Sequence, residues 1–369
     1  MMRSLFGRMV LLVIGFGTGL ALTEVLARGL DLRPQSLRGK RYLLSPSDAV
    51  SYHCYTSNPH GELGPLPDTS RGHWRLLSSS LTPLPLASAS ETPWCVEDRL
   101  SDQSLRDRHY DSPPPAGRTR LAMVGDSFVR GEGVPVERCL PRQVEALLGA
   151  DRYEVANVGF VAQGTTQEVT TVREAVARLD VHRIVLVFVP NDIRLTPELE
   201  RKQQYINDLI NIRDEELARH DATMWYGGGP RILQLAGSVF AMRRITRDTA
   251  QWYLDSYDPD VNAEGLRNLA SDFRALSEMP GCRVAVVLYP LMFGLEDDYP
   301  LAPVHARVAR MAQDAGLPVF DLAPAFRGSS TPSLQVHPAD HHPNGRAHEI
   351  AARALTEWLR RDLPAFLAP

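Results

Sequence analysis

Two short runs of almost wholly apolar residues, 183–189 (RIVLVFV) and 283–289 (RVAVVLY), constrain the fold of this chain more than any other feature. Unbroken apolar runs of this length predict strands that are buried on both faces, as in the middle of a parallel sheet. Shorter runs of the same kind begin at Arg120, Tyr153 and Leu317. Segments of helical periodicity separate the runs, so we expect a flavodoxin-like α/β domain in which a parallel sheet lies between two layers of helices.

The helical segments set the bounds of this three-layer α/β/α domain. The spacing of apolar residues predicts helices over 136–148, 167–179, 305–315 and 345–363. Together with the strands, these helices place the domain at about residues 118–363.

A longer helical segment, about 194–278, is predicted to be an insertion into the domain. The sequence Gly-Gly-Gly-Pro at 227–230 interrupts it. Two interpretations remain open: an ordinary packed helical cap, or a cover that lines a carbohydrate or acyl pocket. The aromatic residues that bear on this choice are Trp225, Tyr226, Phe240, Trp252, Tyr253 and Tyr257.

Residues 31–117 differ in composition from the rest of the chain. Residues 31–45 are polar and rich in arginine, which indicates a linker, and prolines recur through the remainder. Because proline lacks a backbone N–H, this spacing disfavours long helices and central strands. We therefore predict an irregular N-terminal extension of short strands and loops packed on the main domain, or partial disorder. The prolines that carry this argument are Pro59, Pro65, Pro67, Pro83, Pro85 and Pro93, and Pro113–Pro115 end the region.

The first 30 residues form an apolar segment typical of membrane targeting. Residues 9–22 carry no charge, although Arg8, Glu24 and Arg28 interrupt the longer stretch. Two main interpretations stay open: an uncleaved N-terminal membrane anchor, which we favour, and a cleaved signal peptide. A buried N-terminal helix is a third. In the first two cases we expect the main domain to work outside the cytoplasm, in the periplasm at the membrane or as a secreted protein.

The flanking charge does not decide the orientation of this segment, because basic residues lie on both sides of it. Arg3 and Arg8 precede it. The basic residues that follow are Arg28, Arg33, Arg38, Lys40 and Arg41.

The charge composition gives no support for a nucleic-acid-binding or phosphate-binding protein. The 369 residues carry a formal net charge of −4, so no basic field favours nucleic acid as a partner. All but two of the 40 basic residues are arginines, the exceptions being Lys40 and Lys202. We interpret this bias as a property of the genome and not as a phosphate-binding surface.

The four cysteines contain no Cys-x-x-Cys pair, which argues against zinc-binding and thioredoxin-like chemistry. Cys54 and Cys95 lie in the same loop-rich segment and are candidates for a disulfide in an oxidising compartment. Free thiols at all four cysteines are the equally open alternative.

Polar residues follow several of the predicted strands. Ligands of open parallel sheets bind beyond the carboxyl ends of the strands, so we expect functional residues at these positions. The segments there are Gly125–Phe128 (GDSF), 157–164 (NVGFVAQG), Pro190–Asp192 (PND) and, before the last helix, Asp340–Asn344 (DHHPN). They bring together a serine, small residues with accessible backbone, an amide side chain and an Asp-x-His pair. These are the groups that acyl transfer requires: a nucleophile, oxyanion donors, a base and its orienting acid.

These four blocks resemble the SGNH, or GDSL, hydrolase superfamily, and the resemblance covers about residues 118–362. The order and spacing of the blocks agree with that superfamily, although Gly-Asp-Ser alone is a weak motif. The longer phrase 125–134 (GDSFVRGEGV) and Asp321-Leu322 are similar to a bacterial branch that carries an N-terminal membrane segment.

The resemblance implies a role for each site residue. Ser127 attacks an ester carbonyl, His342 serves as general base and then acid, and Asp340 orients the imidazole. It also implies an oxyanion hole made by the Ser127 N–H, a backbone N–H after the second strand, and the Asn191 side chain.

Two positions depart from the superfamily pattern. The superfamily has a glycine five residues after the asparagine that corresponds to Asn157, where this chain has Ala162. The Ala162 N–H can serve as an oxyanion donor only if its φ accommodates a Cβ. Gly164 is a second candidate for this donor. The acid usually lies three residues before the histidine, where this chain has Ala339, so Asp340 must serve instead.

The sequence thus predicts a serine esterase that hydrolyses O-acyl esters, with O-acetyl groups on an envelope polysaccharide or glycan as the expected substrate. Three alternatives remain open: an O-acyltransferase with the same acyl-enzyme, a lipase or lysophospholipase, and a catalytically silent glycan-binding or assembly protein. A small-molecule acyl ester is a further possible substrate.

Nothing in the sequence indicates a cofactor. The histidines 337, 341, 342 and 348 lack an i, i+4 pair on one helix, so we do not predict a metal site. We expect Asp126 and Asp192 to bond backbone N–H groups at strand-to-helix turns.

Overall fold

The computed structural model describes residues 2–30, 32, 39–45, 49–79, 81–221 and 230–368. Arg33, Arg38, Trp225, Tyr226 and 227–229, which entered the sequence predictions, lie outside these ranges. The chain divides into two compact units. The first, here called the helical unit, comprises Met1–Leu37 and Arg201–Thr249; the second, the sheet unit, comprises Arg38–Glu200 and Ala250–Pro369.

The helical unit begins with helix α1 (Met2–Gly29). Its segment Leu11–Gly29 is long and apolar enough to cross a membrane, a property that anchors and signal sequences share. Near the end of α1, the Glu24 carboxylate accepts hydrogen bonds from the N–H groups of Arg231 and Ile232, at 2.8 and 3.0 Å. These N–H groups open a later helix and have no partner within it, so the carboxylate caps that helix.

The N-terminal part of the sheet unit is more regular than the sequence predicts. Its short strands form one antiparallel six-stranded sheet with the order β3-β6-β2-β1-β4-β5. Pro65 and Pro83 lie in the two edge strands, where a missing N–H breaks no ladder, so the prolines leave the central strands intact. The strands are β1 (Arg41–Leu44), β2 (Val50–Tyr55), β3 (Gly64–Pro65), β4 (Arg75–Ser78), β5 (Pro83–Leu84) and β6 (Trp94–Arg99).

Cys54 and Cys95 stand directly opposite each other on β2 and β6 and form a disulfide. Both are buried beside Leu43 and Leu76 in the core of this sheet. Of the two alternatives left open by the sequence, the structure contains the disulfide, with Cys139 and Cys282 as free thiols.

The expected three-layer α/β/α fold is confirmed by a second sheet, whose five strands pair in parallel in the order β11-β10-β9-β7-β8. Alternate residues of each strand enter two separate apolar cores, one on each face. The strands are β7 (Thr119–Gly125), β8 (Tyr153–Gly159), β9 (Arg183–Phe188), β10 (Arg283–Leu288) and β11 (Val319–Asp321).

Helices cover both faces of the parallel sheet. One core contains α4, α7 and α8, and the other contains α3 and α10. The antiparallel pair β12 (Gln335–His337) and β13 (Asp340–Pro343) precedes α10. The helices are α2 (Ser127–Arg130), α3 (Leu140–Leu148), α4 (Thr165–Leu179), α5 (Pro197–Asp221), α6 (Arg231–Ser256), α7 (Ala263–Ser277), α8 (Ala302–Asp314), α9 (Ala323–Phe326), α10 (Gly345–Arg361) and α11 (Pro364–Leu367).

The predicted insertion over 194–278 is too long at its C-terminal end. Helix α7 belongs to the helix layer of the sheet, where Phe273 is completely buried against the strands. The remaining helices of the insertion are α5 and α6. Two of the aromatic residues that bear on the choice between a packed cap and a pocket cover hold the chain in place: Trp252 donates to the carbonyl of Leu199, and Tyr257 donates to that of Pro190.

Candidate active site

Ser127 stands at the carboxyl end of β7, as the first residue of the short helix α2. The preceding Asp126 caps this helix, because its Oδ1 accepts a hydrogen bond from the N–H of Phe128 at 2.8 Å. A Cβ on Gly159, at the end of β8, would lie 2.2 Å from the backbone nitrogen of Arg130. Glycine at this position therefore lets the turn carrying Ser127 pack directly on the neighbouring strand.

Asp340 and His342 lie two residues apart on strand β13. Side chains at i and i+2 of a strand project to the same side, which explains why an Asp-x-His spacing can form a pair. Nδ1 of His342 lies 2.5 Å from Oδ1 of Asp340, and Nε2 lies 2.9 Å from Oγ of Ser127. The structure thus brings together all three residues of the proposed triad, with Asp340 in place of the acid expected at Ala339.

The charges around this set favour an ionised acid and a basic imidazole. Burial alone would raise the pKa of Asp340, but Lys40 and His342 hold it well below its usual range. Burial would lower the pKa of His342, yet the carboxylates of Asp340 and Glu132 raise it above the ordinary value. Asp340 is therefore a carboxylate that can accept the Nδ1–H of His342 throughout the neutral pH range.

Two donors of the predicted oxyanion hole are available beside Ser127. The Ser127 N–H lies in the first turn of α2, where a helix offers no internal acceptor. Asn191 follows β9, and its side-chain amide donates one hydrogen to Oδ2 of Asp126 at 2.9 Å. An amide nitrogen carries two hydrogens, so the second is left for a ligand.

The two candidates for the remaining backbone donor differ in the structure. The Gly164 N–H donates to Oε1 of Gln167 at 3.2 Å, within the cap of α4, so Gly164 is already engaged as a donor. Ala162 is exposed and adopts φ +60°, in the left-handed region. A Cβ costs about 1 kcal/mol in that conformation. Of the two candidates, Gly164 already donates its N–H within the cap of α4, and Ala162 remains the candidate for the third donor.

Asp126 and Asp192 both bond the backbone, as the sequence predicts. Asp126 caps α2, and Oδ2 of Asp192 accepts the N–H of Val189 at 2.6 Å. Asp126 also fixes the Asn191 amide, so this buried carboxylate links two elements of the candidate oxyanion hole.

Three residues that sequence reasoning missed surround the Asp340–His342 pair. Tyr55 on β2 donates to Oδ2 of Asp340 at 2.7 Å, and Nζ of Lys40 lies 3.1 Å from the same oxygen. Oε2 of Glu132 lies 3.7 Å from Nε2 of His342. Glu132 stands within the phrase GDSFVRGEGV, which offered a signal, whereas Tyr55 and Lys40 belong to the N-terminal region predicted to be irregular.

Within the part of the chain that the structure describes, no group of three or more His, Cys, Asp or Glu side chains is arranged to hold a metal ion.

A cavity of about 690 Å³ lies beside β6 and α3, and neither Ser127 nor His342 lines it. We therefore place the candidate site at the carboxyl edge of the parallel sheet and not in this cavity.

A profile of the GDSL-like lipase/acylhydrolase family matches residues 123–350. Comparison with curated proteins finds no match. Among solved structures, a two-domain esterase active on acetylated mannans is 12% identical, with a TM-score of 0.40, and the match covers 66% of this chain and 49% of that one. The chain thus spans about half the length of that esterase.

Two other solved structures give similar values. A lipase/acylhydrolase from Enterococcus faecalis is 13% identical, with a TM-score of 0.39, over 66% of this chain and 95% of that one. A variant of the acetyl xylan esterase Axe2 from Geobacillus stearothermophilus is 16% identical, with a TM-score of 0.36, over 66% and 93%. From the family match over residues 123–350, this chain belongs to the GDSL-like lipase/acylhydrolase family and is an ester hydrolase.

Proposed function

We propose that this chain is a serine esterase in which Ser127, His342 and Asp340 form the catalytic triad. The observation that carries the proposal is the continuous line of contacts from Ser127 Oγ to His342 Nε2, at 2.9 Å, and from His342 Nδ1 to Asp340 Oδ1, at 2.5 Å. An imidazole held between a hydroxyl and a buried carboxylate is the arrangement that activates a serine nucleophile.

The proposed reaction has two steps. In the first, Nε2 of His342 takes the Ser127 Oγ proton as the oxygen attacks the acyl carbon, and the same proton then passes to the departing alcohol. In the second, His342 removes a proton from water, which attacks the acyl-enzyme, and the proton returns to Ser127 as the carboxylic acid leaves. The N–H groups of Ser127 and Ala162 and the amide of Asn191 stabilise the oxyanion in both steps.

We propose that the enzyme acts outside the cytoplasm and that α1 holds it at the membrane. Two observations support this location. Residues 11–29 suffice in length and apolarity to span a bilayer, and the Cys54–Cys95 disulfide suits an oxidising compartment.

The proposed substrate follows from this location. An esterase held at the outer face of a membrane meets the polysaccharides of the envelope, whose hydroxyl groups carry O-acyl esters. We propose O-acetyl groups on such a glycan as the substrate.

The test uses the full chain in detergent, with Ser127→Ala beside it. Aryl esters from acetyl to octanoyl give the acyl-length profile, and O-acetylated polysaccharides give the release of acetate. We expect acetyl esters to be cleaved fastest, acetate to be released from the glycan, and both activities to be absent in Ser127→Ala.

Each of the other outcomes points to a different function. If octanoyl esters were cleaved fastest, the result would indicate a lipase and not an acetylesterase. Transfer of acetyl to a sugar hydroxyl, with no free acetate, would indicate an O-acyltransferase. Glycan binding without turnover, unchanged in Ser127→Ala, would indicate a silent binding protein and overturn the proposal.

A further inference from the structure

A second buried carboxylate faces the imidazole of His342. Glu132 is 3% exposed, and its Oε2 lies 3.7 Å from Nε2, the nitrogen that also contacts Ser127. The chain reaches this position through Gly131, whose φ of +78° reverses the backbone after α2, and the Glu132 N–H then donates to the carbonyl of Ser127. Glu132 is thus fixed to the same turn as the proposed nucleophile.

Lys40 connects this carboxylate to the acid of the triad. The residue is 8% exposed, and its ammonium donates to Oε1 of Glu132 and lies 3.1 Å from Oδ2 of Asp340. A buried ammonium between two carboxylates satisfies part of their hydrogen-bonding capacity and offsets the cost of burying them. Lys40 is one of only two lysines in a chain whose other basic residues are arginines. Its compact point charge differs from the planar fork of arginine, so the exchange is not conservative.

The other polar groups around these three charges come from several elements. On the N-terminal sheet, Tyr42 donates to Glu132 and Tyr55 donates to Asp340. His53 lies 3.6 Å from Oε1 of Glu132 and 3.3 Å from Oδ2 of Asp98, and Asp98 in turn pairs with Arg130 and Arg106. Asp126, His341 and His348 also interact electrostatically with His342.

The charge balance next to His342 is one negative unit. This balance counts the charged groups that shift the pKa of His342 directly: Glu132 and Asp340 contribute two negative charges and Lys40 contributes one positive charge. In agreement with this count, Asp340 and Glu132 raise the pKa of His342, and Lys40 opposes them. Burial raises the pKa of Glu132, but His342 and Lys40 lower it to about 2, so Glu132 is charged at neutral pH.

We propose that Glu132 and Lys40 are positioning residues for His342, with Glu132 stabilising the imidazolium on its Nε2 side and Lys40 limiting that stabilisation. The inference rests on the proposed serine esterase mechanism and deepens it. When the Ser127 proton reaches Nε2, positive charge appears between Glu132 and Asp340, and both carboxylates favour it. The same proton must then leave for the alcohol, so the ammonium of Lys40 prevents the imidazolium from becoming too stable.

The test compares the pH dependence of kcat/KM in Glu132→Gln, Lys40→Met and the double variant. His342 must be neutral to act as a base, so the acidic limb of the profile reports its titration. Glu132→Gln removes a negative charge and moves the limb to lower pH. Lys40→Met removes a positive charge and moves the limb to higher pH. The double variant restores one net negative charge, and its limb returns toward that of the wild type.

We expect each single variant to lower kcat/KM at its own optimum by about ten- to a hundredfold, part of the roughly 10²–10⁴-fold effect of general-base catalysis. Glu145→Gln is the matched control. Glu145 is also a buried carboxylate, 6% exposed, but it bonds Arg108 and Arg142. Its loss should lower the thermal midpoint without moving the acidic limb.

A second measurement separates this inference from the proposed mechanism and does not need turnover. In a Ser127→Ala background, NMR titration of the His342 ring should show its pKa moving down with Glu132→Gln and up with Lys40→Met. The inference would be overturned if the acidic limb of the pH profile, or the ring pKa, moved the same way in both variants or did not move. A Ser127-dependent esterase would remain in that case. Turnover in Ser127→Ala equal to that of the wild type would instead overturn the proposed mechanism itself.

Discussion

The hydroxyl of Tyr55 donates a hydrogen bond to Oδ2 of Asp340 at 2.7 Å, although 285 residues separate the two in sequence. Tyr55 is the last residue of β2, and Asp340 is the first residue of β13. The antiparallel N-terminal sheet therefore contacts the acid of the proposed triad directly. In agreement with this contact, residues 38–117 and the parallel sheet belong to one compact unit.

Tyr55→Phe tests the contribution of this contact. The side chain is completely buried, and the substitution removes a donor while Lys40 still contacts the same oxygen of Asp340. We expect the free energy of unfolding to fall by about 1–2 kcal/mol, the usual effect of removing a hydrogen bond to a charged group. We also expect kcat/KM to fall about threefold to tenfold. Urea unfolding and ester kinetics measure the two effects, and wild-type values in both would show that the hydrogen bond contributes nothing.

Asp340→Asn keeps the size of the side chain but removes the charge that holds the Nδ1–H of His342. The amide nitrogen can turn toward Nδ1 and favour the wrong tautomer, so we expect kcat to fall on the order of 10³–10⁴-fold. Circular dichroism should show an unchanged fold. An activity equal to that of the wild type would mean that another residue supplies the acid.

A substitution by glycine usually lowers the stability of a protein, but the left-handed backbone at Ala162 predicts the opposite. At φ +60° a Cβ is unfavourable, so Ala162→Gly relieves strain while adding freedom to the unfolded chain. We expect the first effect to be larger and the free energy of unfolding to rise by about 0.5 kcal/mol. Activity should be retained, because the N–H remains.

Ala162→Val is the matched variant. A β-branched residue at this φ forces the loop to change, and we expect kcat to fall by about 10²-fold, as for the loss of one oxyanion donor. Full activity in Ala162→Val would remove this N–H from the proposed oxyanion hole.

His348 makes the stability of the protein depend on pH. The side chain is fully buried on α10, and burial, with Arg106 and His342 nearby, lowers its pKa to about 3. The unfolded chain binds a proton there near pH 6.5, while the folded chain does not. This depressed pKa means that the contribution to stability is fully present above pH 6.5 and is lost as pH falls, by about 2 kcal/mol at pH 5.

His348→Leu removes this proton-binding difference. We expect the decrease in the free energy of unfolding between pH 7.5 and pH 5 to be smaller in the variant by about 2 kcal/mol. Urea titrations of both proteins at the two pH values make the comparison. An equal decrease in wild type and variant would show that His348 is protonated in the folded protein.

The parallel sheet was predictable because its signal is local. Runs such as 183–189 and 283–289 have a composition that only doubly buried strands require, and the carboxyl ends of such strands converge in any doubly wound sheet. Ser127 and Asn191 directly follow such strands, so the sequence alone predicts that they lie at one edge of the sheet.

The surroundings of the proposed triad were not predictable, because they depend on contacts between distant segments. The prolines of the N-terminal region suggested irregular chain, and only the sheet order shows that Pro65 and Pro83 occupy edges. The sequence gives Lys40 no role at the site, since its partners Glu132 and Asp340 are distant in sequence. Helical periodicity does not reveal which surface a helix covers, so the sequence does not distinguish α7, which packs on the sheet, from the helices of the insertion.

Covalent labelling of Ser127 tests the proposed mechanism most directly. The full-length enzyme is incubated with an alkyl fluorophosphonate, and the modified peptide is identified by mass spectrometry in the wild type, Ser127→Ala and His342→Ala. We predict one phosphonyl group on the wild-type protein, located on Ser127, none on Ser127→Ala, and labelling at least about 10²-fold slower in His342→Ala. Labelling of a different residue, or equal labelling of wild type and Ser127→Ala, would contradict the assignment of Ser127 as the nucleophile.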